Sequence, residues 1–203
     1  KKESTVTIML ADAVTGRVVQ RFVHRNAAEP VHITQSENWV FYTFWNTKAR
    51  RNEIGSIALY DGAVDAYSLN PWTRLPKIIQ NEKQEVETSY SSYGAEQPVI
   101  LQKTFVFPSG ITTLSGINTR DGITEKQLLV GTIKGQILQL NRRFLDPRRP
   151  VAKPTKADQA EQLMPYHPIV PIIPINILSY NKQIERLSKI VSVPAGLEST
   201  TLV

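Results

Sequence analysis

Short runs of apolar and β-branched residues, separated by turn-forming residues, fill the first 60 positions of the chain. Such runs are typical of β-strands in a half-buried sheet. The predicted strands are residues 5–10, 17–23, 31–34, 39–45 and 54–60. Gly16 lies in the turn between the first two runs, where it can adopt a positive φ, so we expect these two strands to form a hairpin.

The same pattern returns near residue 100 after a polar stretch. The predicted strands there are residues 100–107, 111–117, 127–132 and 136–140. A turn at Lys134 and Gly135 joins the last two into a second hairpin. Residues 65–100 are polar and lack clear periodicity, so we interpret them as a partly mobile insertion with a short helix near residues 79–87.

Apolar residues near the C-terminus follow a helical spacing. Residues at this spacing are Ile177, Tyr180, Ile184 and Leu187. This periodicity predicts an amphipathic helix of about three turns. The chain stops on the apolar, β-prone residues 200–203, which we take as the start of a further strand in a longer parent protein.

Two segments of the chain resemble each other. Residues 7–21 and 128–142 each contain an apolar strand, a turn with a glycine and a strand that ends on arginine. A strand–turn–strand unit that recurs among many short strands is typical of β-propellers, whose blades have four strands each. We therefore predict a mainly β fold, a partial β-propeller of about three four-stranded blades with one amphipathic helix near the C-terminus. A β-sandwich is the alternative.

The predicted domain organisation follows from these elements. Residues 1–64 form propeller blades, 65–100 the polar insertion, 101–145 another blade, and 146–203 a basic proline-rich arm, the helix and the start of a further strand. Because three blades are fewer than the usual four to eight of a closed ring, blades elsewhere in a parent chain or in associated copies must complete it. Exposed strand edges of an unclosed propeller also predict that the isolated fragment self-associates.

Composition limits the chemistry that the chain can perform. Of its 203 residues, 41% are hydrophobic and 21% are charged, which indicates a folded globular chain. There is no cysteine, so disulfides, zinc fingers and thiol catalysis are excluded. The three histidines lack metal-ligand spacing, and no nucleophile, phosphate-binding or zinc-protease motif is present. We predict that the chain is not an enzyme and that it holds no cofactor and no metal.

Most of the net charge of +6 is concentrated in one segment. Residues 141–156 contain six cations and only one carboxylate, Asp146. Such a cluster favours either an anionic partner, nucleic acid or an anionic lipid surface, or a solvated loop whose arginines pair with neighbouring residues. We favour the loop and expect no nucleic-acid partner, and a basic β-domain that binds anions through this segment is the alternative hypothesis.

Two loops carry the candidate contact residues. The aromatic strand at 39–45 ends in a loop with three cations and one anion, and the proline-rich run at 145–150 adds a second cluster. Arginine can bind a carboxylate with two hydrogen bonds, and a tryptophan face can hold a cation. Each cluster is therefore either a docking corner for a partner or a structural corner fixed by its own ion pair. The candidate residues are Trp45, Asn46, Lys48, Arg50, Arg51, Glu53, Asp146, Arg148 and Arg149.

Several motifs, in the same order along the chain, make this sequence similar to a known family. They are residues 36–40, 42, 44–53, 122–124, 128–131, 145–150, 163–166 and 196–200. In these motifs the chain resembles the C-terminal lumenal region of subunit 1 of the endoplasmic reticulum (ER) membrane protein complex.

The resemblance implies a function without catalysis. Members of that family are large ER membrane proteins with lumenal β-propellers, and their complex inserts tail-anchored and multipass membrane proteins into the ER membrane. The resemblance implies that this chain is a lumenal scaffold whose partners are other subunits of the complex and client membrane proteins. A membrane anchor is then expected elsewhere in the parent chain, and no catalytic residue is carried over.

Overall fold

Antiparallel β-sheet is the main regular structure in the part of the chain that the structure describes. Within residues 4–60, 98–117 and 127–193, which the computed structural model describes, nine strands form three sheets. The strands are β1 (Thr5–Ala11), β2 (Val18–Arg25), β3 (Ala27–Ser36), β4 (Trp39–Asn46), β5 (Arg51–Tyr60), β6 (Val99–Phe107), β7 (Ile111–Gly116), β8 (Gln127–Thr132) and β9 (Ile137–Asn141). The prediction of a mainly β fold is therefore confirmed.

The first sheet is the predicted hairpin of β1 and β2. Gly16 adopts a φ of +68°, a left-handed conformation that costs glycine little. The Asp12 carboxylate accepts hydrogen bonds from the backbone N–H of Val14 (3.0 Å) and from the hydroxyl of Thr15 (2.6 Å). The turn is thus set by the short polar residues that precede Gly16 and by the glycine itself.

The second sheet has the strand order β3-β4-β5-β6 and lies at the centre of the described chain. Side chains alternate across β4, so Trp39 and Phe41 enter one buried apolar cluster while Tyr42 and Phe44 enter another. Tyr42 lies directly opposite Gly55 of β5, where a Cβ atom would come within 2.1 Å of the tyrosine ring. Gly55 therefore makes room for an aromatic side chain on the neighbouring strand.

The third sheet, β7-β8-β9, contains the second predicted hairpin. Gly135 has a φ of +70°, as Gly16 has in the first hairpin, so the two similar sequence segments use the same kind of turn residue. Leu128, Val130 and Leu138 of this sheet join the larger apolar cluster. The third sheet therefore packs with the second around a shared core.

The C-terminal helix is the main correction to the predicted elements. Residues 177–190 form turns and extended chain, and Tyr180 and Arg186 have positive φ values that interrupt any helix. Backbone hydrogen bonds to the edge of the third sheet replace helical ones, since the N–H of Ile184 donates to the carbonyl of Gly135 at 2.8 Å. The apolar residues at helical spacing follow a sheet edge instead.

One α-helix does occur in the C-terminal part of the described chain, as expected, but it lies earlier, at Lys156–Ala160. The Thr155 hydroxyl and the Asp158 carboxylate form a capping box at its N-terminus. The predicted helix near residues 79–87 and the predicted strand at 200–203 lie outside the described residues. Among the residues described, none of the helices is both long enough and apolar enough to cross a bilayer.

Candidate functional site

The first candidate loop is the tip of the β4–β5 hairpin. The side-chain oxygen of Asn46 accepts hydrogen bonds from the backbone N–H groups of Lys48 (3.1 Å) and Ala49 (2.9 Å), and its amide donates to Glu53 at 3.1 Å. Arg50 follows with a φ of +51°. One asparagine therefore holds both sides of the tip, and the backbone that carries the cations is fixed by local hydrogen bonds.

The charges of this tip are unequally paired. Glu53 is only 7% exposed, and its carboxylate accepts a hydrogen bond from the side chain of Arg51 at 2.8 Å. Lys48 and Arg50 are exposed, and neither makes an ion pair or a side-chain hydrogen bond with any described residue. Arg51 thus belongs to the predicted structural pair, while two cations remain available to a partner.

Trp45 is half-buried beside this tip and pairs with Asn52 across the strands. Within the described chain no cation lies over its ring. The tryptophan that holds a cation is instead Trp39, whose ring lies 4.8 Å from the guanidinium carbon of Arg142. The expected cation–tryptophan contact therefore exists in the protein at a different tryptophan.

The second candidate cluster is a closed ion-pair network. Arg148 donates two hydrogen bonds to the Asp146 carboxylate (3.3 and 3.1 Å) and a third to Glu161 (2.6 Å), and its guanidinium lies 5.0 Å from the ring centre of Tyr60. Burial alone would lower the pKa of Arg148, but the hydrogen bonds and the charge of Asp146 outweigh burial and raise it. Every donor nitrogen of this side chain already has a carboxylate partner.

Arg149, the next residue, is a buried structural cation. It is 5% exposed, and it donates hydrogen bonds to the backbone carbonyls of Phe144 (2.6 Å), Met164 (3.3 Å) and Pro165 (3.1 Å). Burial lowers the pKa of Arg149, because removing the charged guanidinium group from water is unfavourable. The hydrogen bonds to the three carbonyls offset part of this cost. This arrangement ties the basic loop to the following chain.

A polar cleft of about 270 Å³ lies beside the second cluster. Its walls are Asn38, Trp39, Tyr60, Arg142, Arg143, Asp146, Arg148, Glu161, Gln162 and Leu163. Because two carboxylates lie among the three arginines, the cleft does not present a uniformly positive surface. Within the described residues no group of histidines and carboxylates is placed to hold a metal ion.

Sequence reasoning missed a buried polar network between the first two sheets. The hydroxyl of Tyr42 lies 2.7 Å from a ring nitrogen of His24 and accepts a hydrogen bond from Gln102 at 2.9 Å. Burial raises the pKa of Tyr42 to about 12. Burial lowers the pKa of His24, and the negative charge of Glu53 partly offsets this lowering. A tyrosine with such a pKa stays neutral, so the network is suited to fixing side chains in the core.

Comparison with known proteins identifies the family. The model of the family described as ER membrane protein complex subunit 1, second beta-propeller, matches residues 1–203. The chain belongs to this family. Its β-propeller fold is thereby confirmed, and the β-sandwich is not favoured.

Individual proteins from the subunit 1 family agree with this assignment. ER membrane protein complex subunit 1 of Gallus gallus is 39% identical over 198 residues, which cover 98% of this chain and 18% of that protein. The protein of the same name from Schizosaccharomyces pombe is 30% identical over 206 residues, covering all of this chain and 22% of that protein. The chain therefore spans about a fifth of the length of these curated relatives.

Proposed function

We propose that this chain is a non-catalytic scaffold on the lumenal side of the ER membrane, within a complex that inserts tail-anchored and multipass membrane proteins. Membership in the subunit 1 family supports the complex as its setting. The observation that carries the contact role is the hairpin tip at residues 46–53, a fixed backbone that presents two exposed cations without a partner in the described chain.

Charge complementarity gives this tip a defined kind of partner. Exposed cations at the rim of an interface attract acidic surfaces and disfavour basic ones. Because Asn46 and the Arg51–Glu53 pair hold the loop, little backbone conformational entropy is lost when Lys48 and Arg50 bind a partner. The proposal is that an acidic surface of a neighbouring subunit of the complex contacts these two side chains.

Charge reversal at the tip tests this proposal. The variant Lys48→Glu with Arg50→Glu is placed in the full-length parent protein, and the recovery of the other subunits is measured after affinity purification. We expect recovery to fall about tenfold, because two attractive contacts become repulsive. The matched control is Lys153→Glu with Lys156→Glu, which reverses two exposed lysines of the basic segment. Equal recovery with both variants would contradict the contact role.

The alternative, an anion-binding β-domain that uses residues 141–156, has less support. Arg148 and Arg149 are engaged by carboxylates and carbonyls, and Arg142 lies over Trp39 and 3.6 Å from the carboxylate of Glu37. At least half of the six cations in the segment therefore interact with the protein itself. Salt-sensitive binding to heparin or to acidic liposomes would reverse this preference.

A further inference from the structure

The β1–β2 hairpin has one face that the core does not use. On the inner face, Ile8 and Phe22 pack against the second sheet in a shared apolar cluster. Because side chains alternate along a strand, the other residues of the hairpin point outward. This outer surface, named the hairpin face here, consists of Thr7, Met9, Val18, Arg21, Val23 and Arg25, all of them exposed. The hairpin face is therefore open to solvent in the part of the chain that the structure describes.

Apolar and positively charged side chains alternate on the hairpin face. Met9, Val18 and Val23 are exposed by 54%, 53% and 55%. Arg21 lies opposite Met9 and donates a hydrogen bond to its sulfur at 3.6 Å. Val23 lies between Arg21 and Arg25 along β2, and neither arginine has a carboxylate partner among the described residues. A molecule that covers this surface must therefore offer both apolar side chains and negative charge.

The hairpin itself supplies no carboxylate to these two arginines. Between residues 4 and 28 the only Asp or Glu is Asp12. Its carboxylate already accepts hydrogen bonds from the backbone N–H of Val14 and from the hydroxyl of Thr15. A guanidinium group binds a carboxylate through two parallel hydrogen bonds. Arg21 and Arg25 can each bind a carboxylate of another molecule in this way.

The composition of the hairpin face differs from that of a face that packs on another sheet. The inner face of the same hairpin meets the second sheet, and it carries no Lys, Arg, Asp or Glu. The hairpin face instead mixes arginine with methionine and valine and has no aromatic residue. Arginine and methionine are enriched where separate proteins meet, and such interfaces are nearly as polar as the rest of the surface. This composition favours a separate protein chain over a further blade of the same propeller.

The hairpin face adjoins the tip of the β4–β5 hairpin. The backbone N–H of Thr47 donates to the carbonyl of Asn26 at 2.8 Å. Arg25 directly precedes Asn26, and Lys48 directly follows Thr47. The exposed cations of both hairpins therefore border one corner of the molecule, where a single acidic surface can reach them.

We propose that the hairpin face docks onto an acidic surface of another protein chain in the complex. Carboxylates of that surface bind Arg21 and Arg25, and its apolar side chains cover Met9 and Val23. Because the two arginines are four residues apart on an extended strand, these carboxylates lie about 13 Å apart. This inference rests on the proposed function, which supplies neighbouring subunits as candidates for the partner.

Charge makes two other occupants less suitable. A second copy of this chain in a symmetric, face-to-face contact brings arginines against arginines, which is repulsive. Anionic lipid attracts basic segments, but the clusters that bind it contain about four to eight cations. The hairpin has three, Arg17, Arg21 and Arg25. An acidic protein surface therefore fits the charge of the hairpin face best.

Photo-crosslinking in the assembled complex tests this inference. A benzophenone amino acid replaces Val23 in the full-length parent protein, and mass spectrometry maps the residue to which it attaches. Val151, which is 82% exposed and lies outside the hairpin face, is the control position. We expect Val23 to cross-link to another subunit beside Asp or Glu residues and Val151 to give no such product. A product with lipid, with the parent chain or with a second copy of it, or no product at all, would overturn the inference.

Charge reversal tests whether the arginines hold the contact. Arg21→Glu with Arg25→Glu should lower the yield of the Val23 cross-link about fivefold or more, because attraction becomes repulsion. Lys153→Glu with Lys156→Glu, which reverses two exposed lysines elsewhere, should leave the yield unchanged. Replacing the mapped carboxylates with lysine should restore the yield in the reversed variant, which a folding defect would not permit. An unchanged yield after charge reversal at the two arginines would contradict the inference.

The outcomes separate this inference from the proposed contact role of the tip. If Lys48→Glu with Arg50→Glu leaves recovery of the subunits unchanged while the Val23 cross-link depends on Arg21 and Arg25, only the role of the tip fails. If the tip variant loses the subunits while Val23 gives no cross-link, only the inference about the hairpin face fails.

Discussion

Replacing Arg149 tests whether the basic proline-rich corner is structural. Arg149→Met keeps much of the apolar stem but removes every donor from three backbone carbonyls, those of Phe144, Met164 and Pro165. Each buried carbonyl left without a donor costs about 1–3 kcal/mol, and partial relaxation reduces the total. We therefore expect the free energy of unfolding to fall by about 3–5 kcal/mol.

Thermal and denaturant unfolding of the purified chain measure this loss. For a domain of this size the expected change corresponds to a fall in melting temperature of about 6–20 °C. Arg149→Lys should recover only part of the loss, because one ammonium group lacks the planar fork that reaches three carbonyls. Lys153→Met, an exposed cation of the same segment, should change stability by no more than about 0.5 kcal/mol.

The outcome that would refute this reasoning is a small effect. If Arg149→Met and Lys153→Met destabilised the chain equally, the hydrogen bonds of Arg149 would contribute no net stability. The corner would then be free to serve a partner. A large loss that Arg149→Lys fully restored would show instead that the positive charge, and not the fork of donors, is what the corner needs.

Two further predictions concern location and pH. Arg186→Asn creates an N-linked glycosylation acceptor with Ser188, at an exposed position whose φ of +53° asparagine tolerates well. If this region is lumenal, the full-length protein should gain mass that an endoglycosidase removes. No mass shift would contradict the lumenal location. Burial lowers the pKa of His24 and of His32 below 6.5, so the unfolded state binds more protons and stability should fall as the pH drops below about 6.5. In denaturant unfolding, His32→Gln should lessen this fall, and stability that rises on acidification would be the contrary result.

Strand positions could be predicted because each strand carries its own signal. In β4, apolar residues occupy both faces, and this continuous pattern of large side chains is typical of a strand with a core on either side. Gly16 and Gly135 allowed the two hairpin turns to be predicted, because a positive φ strongly favours glycine. These signals are local, so a single sequence is enough to detect them.

The predicted C-terminal helix failed because its signal was not specific to helices. Ile177 and Ile184 do lie three to four residues from their apolar neighbours, but the edge of the third sheet offers backbone partners to both. Leu138 forms a bridge with Ile177, and Gly135 accepts from Ile184. Apolar spacing cannot distinguish a helix from an irregular segment that meets a sheet at intervals, since tertiary contacts decide between them.

Partners that are distant in sequence decide which candidate site residues are already engaged within the protein and which are not. Arg148 and Lys48 look equivalent in the sequence, yet the Arg148 side chain binds Glu161 thirteen residues away, while the Lys48 side chain has no partner among the described residues. Two of the three carbonyls that Arg149 binds, those of Met164 and Pro165, lie in a later segment that residue types alone do not bring close. Which cations remain available to a partner is therefore a property of the fold, and charge counts along the chain cannot show it.

Contacts between the C-terminal segment and the sheet edges limit where the predicted self-association can occur. That prediction assumed open sheet edges, but Ile169 forms a bridge with Val106 of β6, and Ile177 forms one with Leu138 of β9. Unpaired edges favour strand exchange only where their N–H and C=O groups are unoccupied. Within the described residues, the two-stranded β1–β2 sheet is the least covered, with no further strand on either side. Any association between copies is therefore expected at this hairpin, while the tip of the β4–β5 hairpin stays accessible to other partners.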